Sequence, residues 1–429
     1  MRTTISKSIE NPIAFKQQLL LWANQFREVV FLDSNHYHQQ YSDFDFLLAV
    51  DALTSIKTDF ENAFDDLHQY QSQTKDWLFG CLGYDLKNNT EDLKSENFDG
   101  LHFPDLFFFQ PKKLLFFKKG KLELHYLRMC DDEIESDFIE ILNTLPPAVN
   151  PTPIEIQQRI SKANYIEKVT TMLAHIHLGD IYEANFCMEF YSDNAAINPI
   201  QVYLQLNSIS EPPFAVYFKN GSQYLLSASP ERYLRKQGGK VISQPIKGTA
   251  RRFSDSVLDG QSKQELSENP KERSENIMIV DLVRNDLSRT ATKGSVTVEE
   301  LCGIYTFKQV HQMISTVVST VEHTTSPTEI IKTTFPMGSM TGAPKISAMQ
   351  IIENLEETKR GLYSGAVGYF TPDNDFDFNV VIRSILYNAE NHYLSFSVGS
   401  AITSKSVPEK EYEECLLKAR AMFEVLQEK

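Results

Sequence analysis

Apolar residues recur along this chain in two rhythms. Short, nearly continuous runs of strand length come first: FREVVFLDSN at 26–35, WLFGCLGYDL at 77–86, and the long LHFPDLFFFQPKKLLFFKKGKLELHYL at 101–127, with a turn at Lys119-Gly120. Runs of this length, bounded by turn residues, predict buried strands. A helical rhythm follows from Asn164 to Leu178, where Ile166, Val169, Leu173 and Ile176 fall on one stripe and Gly179 stands as the C-cap. IYEANF, PPFAVYFK and QYLLSAS return to strand length, so residues 160–250 read as one helix and then a β-meander.

The segment SASPERYLRKQGGKVISQPIKGT, residues 227–249, predicts two paired strands turning at Gly238-Gly239. Asn269 before Pro270 opens a helix carrying Ile277, Val280, Leu282 and Val283. Pro344 opens another with Ile346, Met349, Ile352 and Leu355 inward, and Pro408 a last one with Tyr412, Leu416, Ala419 and Phe423. Between them GAVGYF, FNVVIRSILY and YLSFSVGSAI read as strands. Without regular βαβ alternation, the expected class is α+β with extensive antiparallel sheet. The stretch LNTLPPAVNPTPIEIQ, with four prolines, is the best linker, and divides the chain into regions 1–150 and 160–425.

Composition narrows the function. A net charge of −15 over 429 residues argues against a nucleic-acid or anionic-membrane partner. Five widely spaced cysteines without a C-x-x-C argue against a disulfide framework or a zinc site, and for a reducing compartment. No run of about 18 apolar residues and no signal core is present, so the expectation is a cytoplasmic protein. Cys81 lacks the glycine spacing of a nucleophile elbow and reads as a buried thiol.

Candidate chemistry sits at a few places. Glu231 and Lys247 stand at the two ends of the 227–249 segment, where a hairpin can bring an acid and an amine together. Alone they read equally as a surface ion pair. Glu272 with Glu275, and Glu411 with Glu414, are two i, i+3 carboxylate pairs on two helices. They read as solvated helix faces or as oxygen ligands for an ion such as Mg²⁺. The glycine-rich FPMGSMTGAPK leads into a helix N-terminus, a ready anion site, although it lacks P-loop spacing. Arg383 interrupts an apolar strand and needs a carboxylate partner, from protein or ligand.

The order of GDIYEANF, SPERY, PIKGTARR, KERSENIMIVDLVRNDLSR, FPMGSMTGAPK, GAVGYF, VIRS and EYEECLLKA resembles the chorismate-utilising family, in particular its aminodeoxychorismate synthase component I branch. The resemblance covers about residues 160–420 and is weaker before them, through LDSN and GYD. It implies a two-subdomain α/β sandwich, with large antiparallel sheets inside and helices outside. It implies amination of chorismate at C4 to 4-amino-4-deoxychorismate, a precursor of para-aminobenzoate and folate. Mg²⁺ would be the cofactor, with Glu275 and Glu414 nearest the ion and Glu272 and Glu411 ligating it or holding its waters. Thr249, Gly338, Ser339, Met340, Thr341, Tyr369, Arg383 and Gly399 would bind substrate.

Lys247 is the discriminating position, because anthranilate synthases resemble PIAGT there. The implied route has Lys247 attack C2 with loss of the C4 hydroxyl, after which ammonia attacks C4 and releases the lysine. It requires a neutral Lys247, with its pKa brought down from about 10.4, and a protonated Glu231, with its pKa brought up from about 4.3. With no glutaminase motif in the chain, the resemblance implies a separate glutamine amidotransferase partner or free ammonia. Gln312 stands where the family often has histidine, with His311 beside it, and the LDSN region resembles one that binds tryptophan in some relatives.

Overall fold

The continuous apolar runs are strands buried on both faces. Side chains alternate along a strand, and in Glu28–Asp33 Val29 and Phe31 enter one hydrophobic core while Val30 and Leu32 enter another. Phe46–Thr58 repeats the division, Phe46, Leu48 and Val50 against Leu47 and Ala49. Phe214–Asn220 does the same with Ala215 and Tyr217 against Val216 and Phe218. The computed structural model describes residues 1–37, 41, 43–145 and 153–427, so most of the proline-rich stretch read as a linker, residues 146–152, lies outside the described residues.

Two antiparallel sheets share the long strand Leu106–Lys118. Its first half pairs with Leu78–Leu82, and pairing continues through Ala366–Phe370, Phe376–Val380, Arg232–Gln237 and Lys240–Gln244 to Val310–Thr320. Phe46–Thr58 pairs along its length and starts the other sheet. That sheet runs through Glu28–Asp33, Phe214–Asn220, Gln223–Ser229, Ser384–Asn388 and Tyr393–Thr403 to Glu183–Ser192. Inner faces of both sheets meet in one core, where Val30, Val216 and Leu225 join Phe79, Val367 and Phe378. Helices Pro12–Ala23, Lys162–Leu178, Pro199–Ser210 and Pro408–Gln427 cover the outside of the second sheet. The result is the expected sandwich, sheets inside and helices outside.

Several local expectations need correction. The meander holds a second helix, Pro199–Ser210, started by the Asn198 side chain accepting from the Gln201 N–H. Arg383 does not interrupt a strand. It stands between Phe376–Val380 and Ser384–Asn388 in left-handed backbone, φ 51°. Lys247 lies inside a third strand, Ile246–Arg251, which Pro245 separates from the hairpin. One inward assignment was turned out: Ile346 is 46% exposed, while Ile351 takes a core position.

One buried ion pair ties the sheets to the chain that crosses them. Arg360 donates to both oxygens of Glu356 at 2.9 and 2.7 Å, to the Met340 carbonyl at 2.6 Å and to the Asn185 carbonyl at 2.7 Å. Glu356 in turn accepts from the Cys187 N–H at 2.8 Å. Arg360→Met leaves a buried carboxylate without its cation, and its unfolding free energy in urea should fall by about 3–5 kcal/mol. Adding Glu356→Met should restore much of that loss.

Candidate active site

Pro245 supplies no N–H to the ladder, and the next strand resumes with a bulge. Ile246 faces Ile314 and Thr249 faces Gln312, so Lys247 and Gly248 together span one residue of the neighbouring strand. Gly248 has φ +97°, and a Cβ there would stand 3.2 Å from Oε2 of Glu272. Glycine therefore lets the strand pass close to the acidic helix Pro270–Ser288. Asn276 of that helix donates to the Lys247 carbonyl at 3.2 Å.

The Lys247 ammonium lies 2.7 Å from Oε1 of Glu183, a carboxylate 1% exposed at the first residue of Glu183–Ser192. Burial alone would lower the lysine pKa, but Glu183, Glu275 and Glu231 outweigh it and hold the pKa above the usual value. The lowered pKa expected for a resting nucleophile is therefore not what the site has. Glu183, Glu275 and Glu231 together favour the charged form of Lys247. Glu231 occupies the break between Gln223–Ser229 and Arg232–Gln237. Burial pushes its carboxyl up to about 7, against the pull of a Ser339 hydrogen bond and of Lys247. That is the direction proton donation requires.

Burial draws the Arg383 pKa down, and Glu231 acts on it in the opposite direction. No carboxylate among the described residues pairs with its guanidinium, which leaves a desolvated cation suited to an anion. Gly399 pairs with Cys187, and a Cβ on it would stand 2.6 Å from the Cys187 sulfur, so glycine is required for the two strands to close.

The two acidic helices face each other across Lys271. Its Nζ lies 3.6 Å from Glu275 Oε1 and 4.0 Å from Glu411 Oε1, and it also feels Glu272 and Glu414. Glu414 pairs with Lys418 at 2.8 Å, and Lys418 donates to the Gly399 carbonyl at 2.8 Å. Burial raises the carboxyl pKa of Glu275 to about 7, and raises those of Glu272 and Glu411 as well. Burial acts on Glu414 too, but Lys418 prevails and lowers it. No three carboxylates among the described residues yet converge as ion ligands. Even so, Glu275 Oε1 is buried without a hydrogen bond, and four carboxylates crowd one ammonium. An all-oxygen donor set with an unsatisfied buried oxygen fits a hard divalent cation.

The glycine-rich loop serves mainly as packing. Gly338–Met340 is one 3₁₀ turn, and the Thr341 hydroxyl donates back to the carbonyls of Met337 and Gly338. Gly342 lies on the Glu183 carbonyl, 2.1 Å from where a Cβ would sit, so that glycine allows backbone contact rather than an anion cradle. Ser339 reaches the site through Glu231 and Met340 through Arg360, while exposed Thr249 stands at its edge. Tyr369 is elsewhere: its ring packs among Phe44, Trp77 and Phe79, at 6.1, 5.6 and 5.5 Å. It lines a separate small cavity with Asp33 and Ser34 of the LDSN stretch. Its strand alternation points it away from Lys247. His311 is bound by Asp259 at 3.1 Å and Thr306 at 3.0 Å, and Gln312 is buried with Oε1 unpaired.

Sequence reasoning did not single out Glu183, Lys271, Arg360 or Lys418. Glu183 had a usable signal, a carboxylate opening the apolar run IYEANF.

Similarity to known proteins agrees with this geometry. The chain is 34% identical over 359 residues to anthranilate synthase component 1 of Thermus thermophilus, covering 82% of this chain and 77% of that one. It is 32% identical over 349 residues to aminodeoxychorismate synthase component 1 of Klebsiella aerogenes, covering 81% and 76%. The crystal structure of anthranilate synthase component I from Streptococcus pneumoniae superposes with a TM-score of 0.78 at 23% identity, covering 90% of this chain and 95% of the other. The sequence profile of the chorismate binding enzymes matches residues 23–424, and the chain belongs to that family.

Proposed function

We propose that this chain is the synthase component that aminates chorismate at C4, giving 4-amino-4-deoxychorismate for para-aminobenzoate and folate synthesis. The observation that carries the reading is an amine, Lys247, enclosed by Glu183, Glu231 and Glu275, with Arg383, which makes no ion pair among the described residues, acting on the same Glu231. Similarity to aminodeoxychorismate synthase component 1 chains of several bacteria supports it. The word component in those names supports a partner, which we assign as a glutamine amidotransferase supplying ammonia.

Chorismate carries two carboxylates. Arg383 supplies a desolvated charge for one of them. Glu272, Glu275, Glu411 and Glu414 would hold Mg²⁺, which when bound supplies positive charge to offset the other carboxylate. Glu231 donates its proton to the departing C4 hydroxyl, which leaves as water. Lys247 forms the bond to C2 while both ring double bonds shift, the second of them onto C4–C5, and it is released when ammonia bonds to C4. Ser339 orients the Glu231 carboxyl through its hydrogen bond.

Incubation with chorismate, Mg²⁺ and ammonium, with and without an aminodeoxychorismate lyase, tests the reaction. The product should become para-aminobenzoate only with the lyase. The likeness to the Thermus anthranilate synthase favours a second outcome, anthranilate without lyase, which would replace the proposal. Lys247→Ala should lower product formation at least about 100-fold, and undiminished formation would rule out the covalent route. Because Glu231 donates from the protonated form, kcat/KM for chorismate should fall as pH rises through about 7. A flat profile from pH 6 to 8.5 would remove Glu231 from that role. Mg²⁺ should raise the melting temperature of the unaltered protein and have little effect on Glu275→Gln.

A further inference from the structure

Lys247 attacks only as a neutral amine, yet its Nζ is ion-paired with Glu183 at 2.7 Å. Its proton must therefore move before the C2 bond forms, and the structure offers one acceptor in reach. Glu183 Oε1 lies 2.7 Å from Nζ and is its one hydrogen-bond partner among the described residues. The other charged groups facing the amine have different work. Glu231, from the break between two strands, gives its proton to the leaving oxygen. Glu275, from the acidic helix, belongs with the carboxylates that face Lys271.

Glu183 is built as a fixed base. Its backbone is held from both sides, with Glu183 in register opposite Ala343 on one edge and Thr403 on the other. The Tyr182 N–H donates to the Ala343 carbonyl at 2.7 Å. Gly342 closes against its carbonyl with no room for a side chain. Glu183 Oε1 is on Lys247, and its Oε2 is buried and makes no hydrogen bond among the described residues, which leaves an acceptor oxygen at the site.

We propose that Glu183 is the general base for Lys247, a role that rests on the reading of Lys247 as the nucleophile. The proton passes from Nζ to Oε1 when the site closes and water leaves, because a neutral amine and a neutral acid lose less solvation than two ions. The freed electron pair on Nζ forms the C2–N bond, the C1–C2 double bond moves to C1–C6, the C5–C6 double bond moves to C4–C5, and the C4–O bond breaks as Glu231 protonates the oxygen. Ammonia then bonds to C4 and gives one proton back to Glu231, both double bonds shift back, and the C2–N bond breaks. Released Lys247 takes its proton back from Glu183, and the net change is chorismate plus ammonia to aminodeoxychorismate plus water.

The test compares Glu183→Gln, Glu183→Asp and Lys247→Ala, each first shown folded by its thermal transition. At pH 7 Glu183→Gln should lower kcat about 100-fold with KM for chorismate within about threefold. The deficit should shrink toward pH 9, where solvent takes the proton. Glu183→Asp, which keeps a base, should recover at least tenfold over Glu183→Gln. In the ligand-free protein, acetylation of Lys247 by acetic anhydride, read by peptide mass spectrometry, should begin at least one pH unit lower in Glu183→Gln. Unaltered kcat in Glu183→Gln, with Lys247→Ala inactive, would overturn the role of Glu183 alone. Activity retained in Lys247→Ala would overturn the nucleophile reading instead.

Discussion

A guanidinium cut off from water must find its hydrogen bonds in protein, and Arg360 finds them in three separate pieces of chain. Glu356 meets it from its own segment, Met340 from the glycine-rich loop and Asn185 from the strand that carries Glu183. Each piece is fixed relative to the others because a buried charge left half-satisfied is so costly. The loop then places Ser339 on Glu231, and the strand places Glu183 on Lys247. Two sheets that share only Leu106–Lys118 are thereby given a second point of agreement, close to the chemistry.

The same logic of desolvation sets the charges of the site. An acidic chain gathers Glu183, Glu231, Glu272, Glu275, Glu411 and Glu414 in one region, with Lys247, Lys271 and Arg383 among them. Burial would neutralise such a set if nothing offset it, and Glu231 and Glu275 are indeed pushed up to about 7. Glu414 escapes because Lys418 reaches it from the next turn of the helix. The site is thus balanced for arriving positive charge on one side and arriving anion on the other.

How much of this was legible in the sequence depends on the range of the interaction. Strand runs such as 26–35 and 101–127 were visible because burial on both faces leaves stretches like VVFL and LFFF almost wholly apolar. Paired glutamates were visible because i, i+3 spacing is local. Arg383 was noticed as a charge in an apolar run, but its left-handed backbone was not, since no glycine marked it. Tyr369 was misplaced because alternation along Ala366–Phe370 decides its face, and only the packed sheets show which face is which. Glu183 was missed because its partner Lys247 lies 64 residues away, and Arg360 and Lys271 because, beyond Glu356 and Glu275 four residues off, their other partners Met340, Asn185 and Glu411 are remote in the chain.

The resting protonation of the pocket also explains why an acid and an amine are not enough. Burial pushes the Glu231 carboxyl up to about 7, toward the protonated form that can donate to a leaving hydroxyl. The carboxylates leave Lys247 with a proton too, which attack on carbon forbids. Both groups being raised puts one in the working state and the other one proton away from it. A pair of groups with opposite needs, shifted in the same direction by one environment, requires a third group to take up the difference. In this fold that group has to touch Nζ, be fixed by backbone and keep an oxygen unspent, and Glu183 at the start of its strand meets all three conditions.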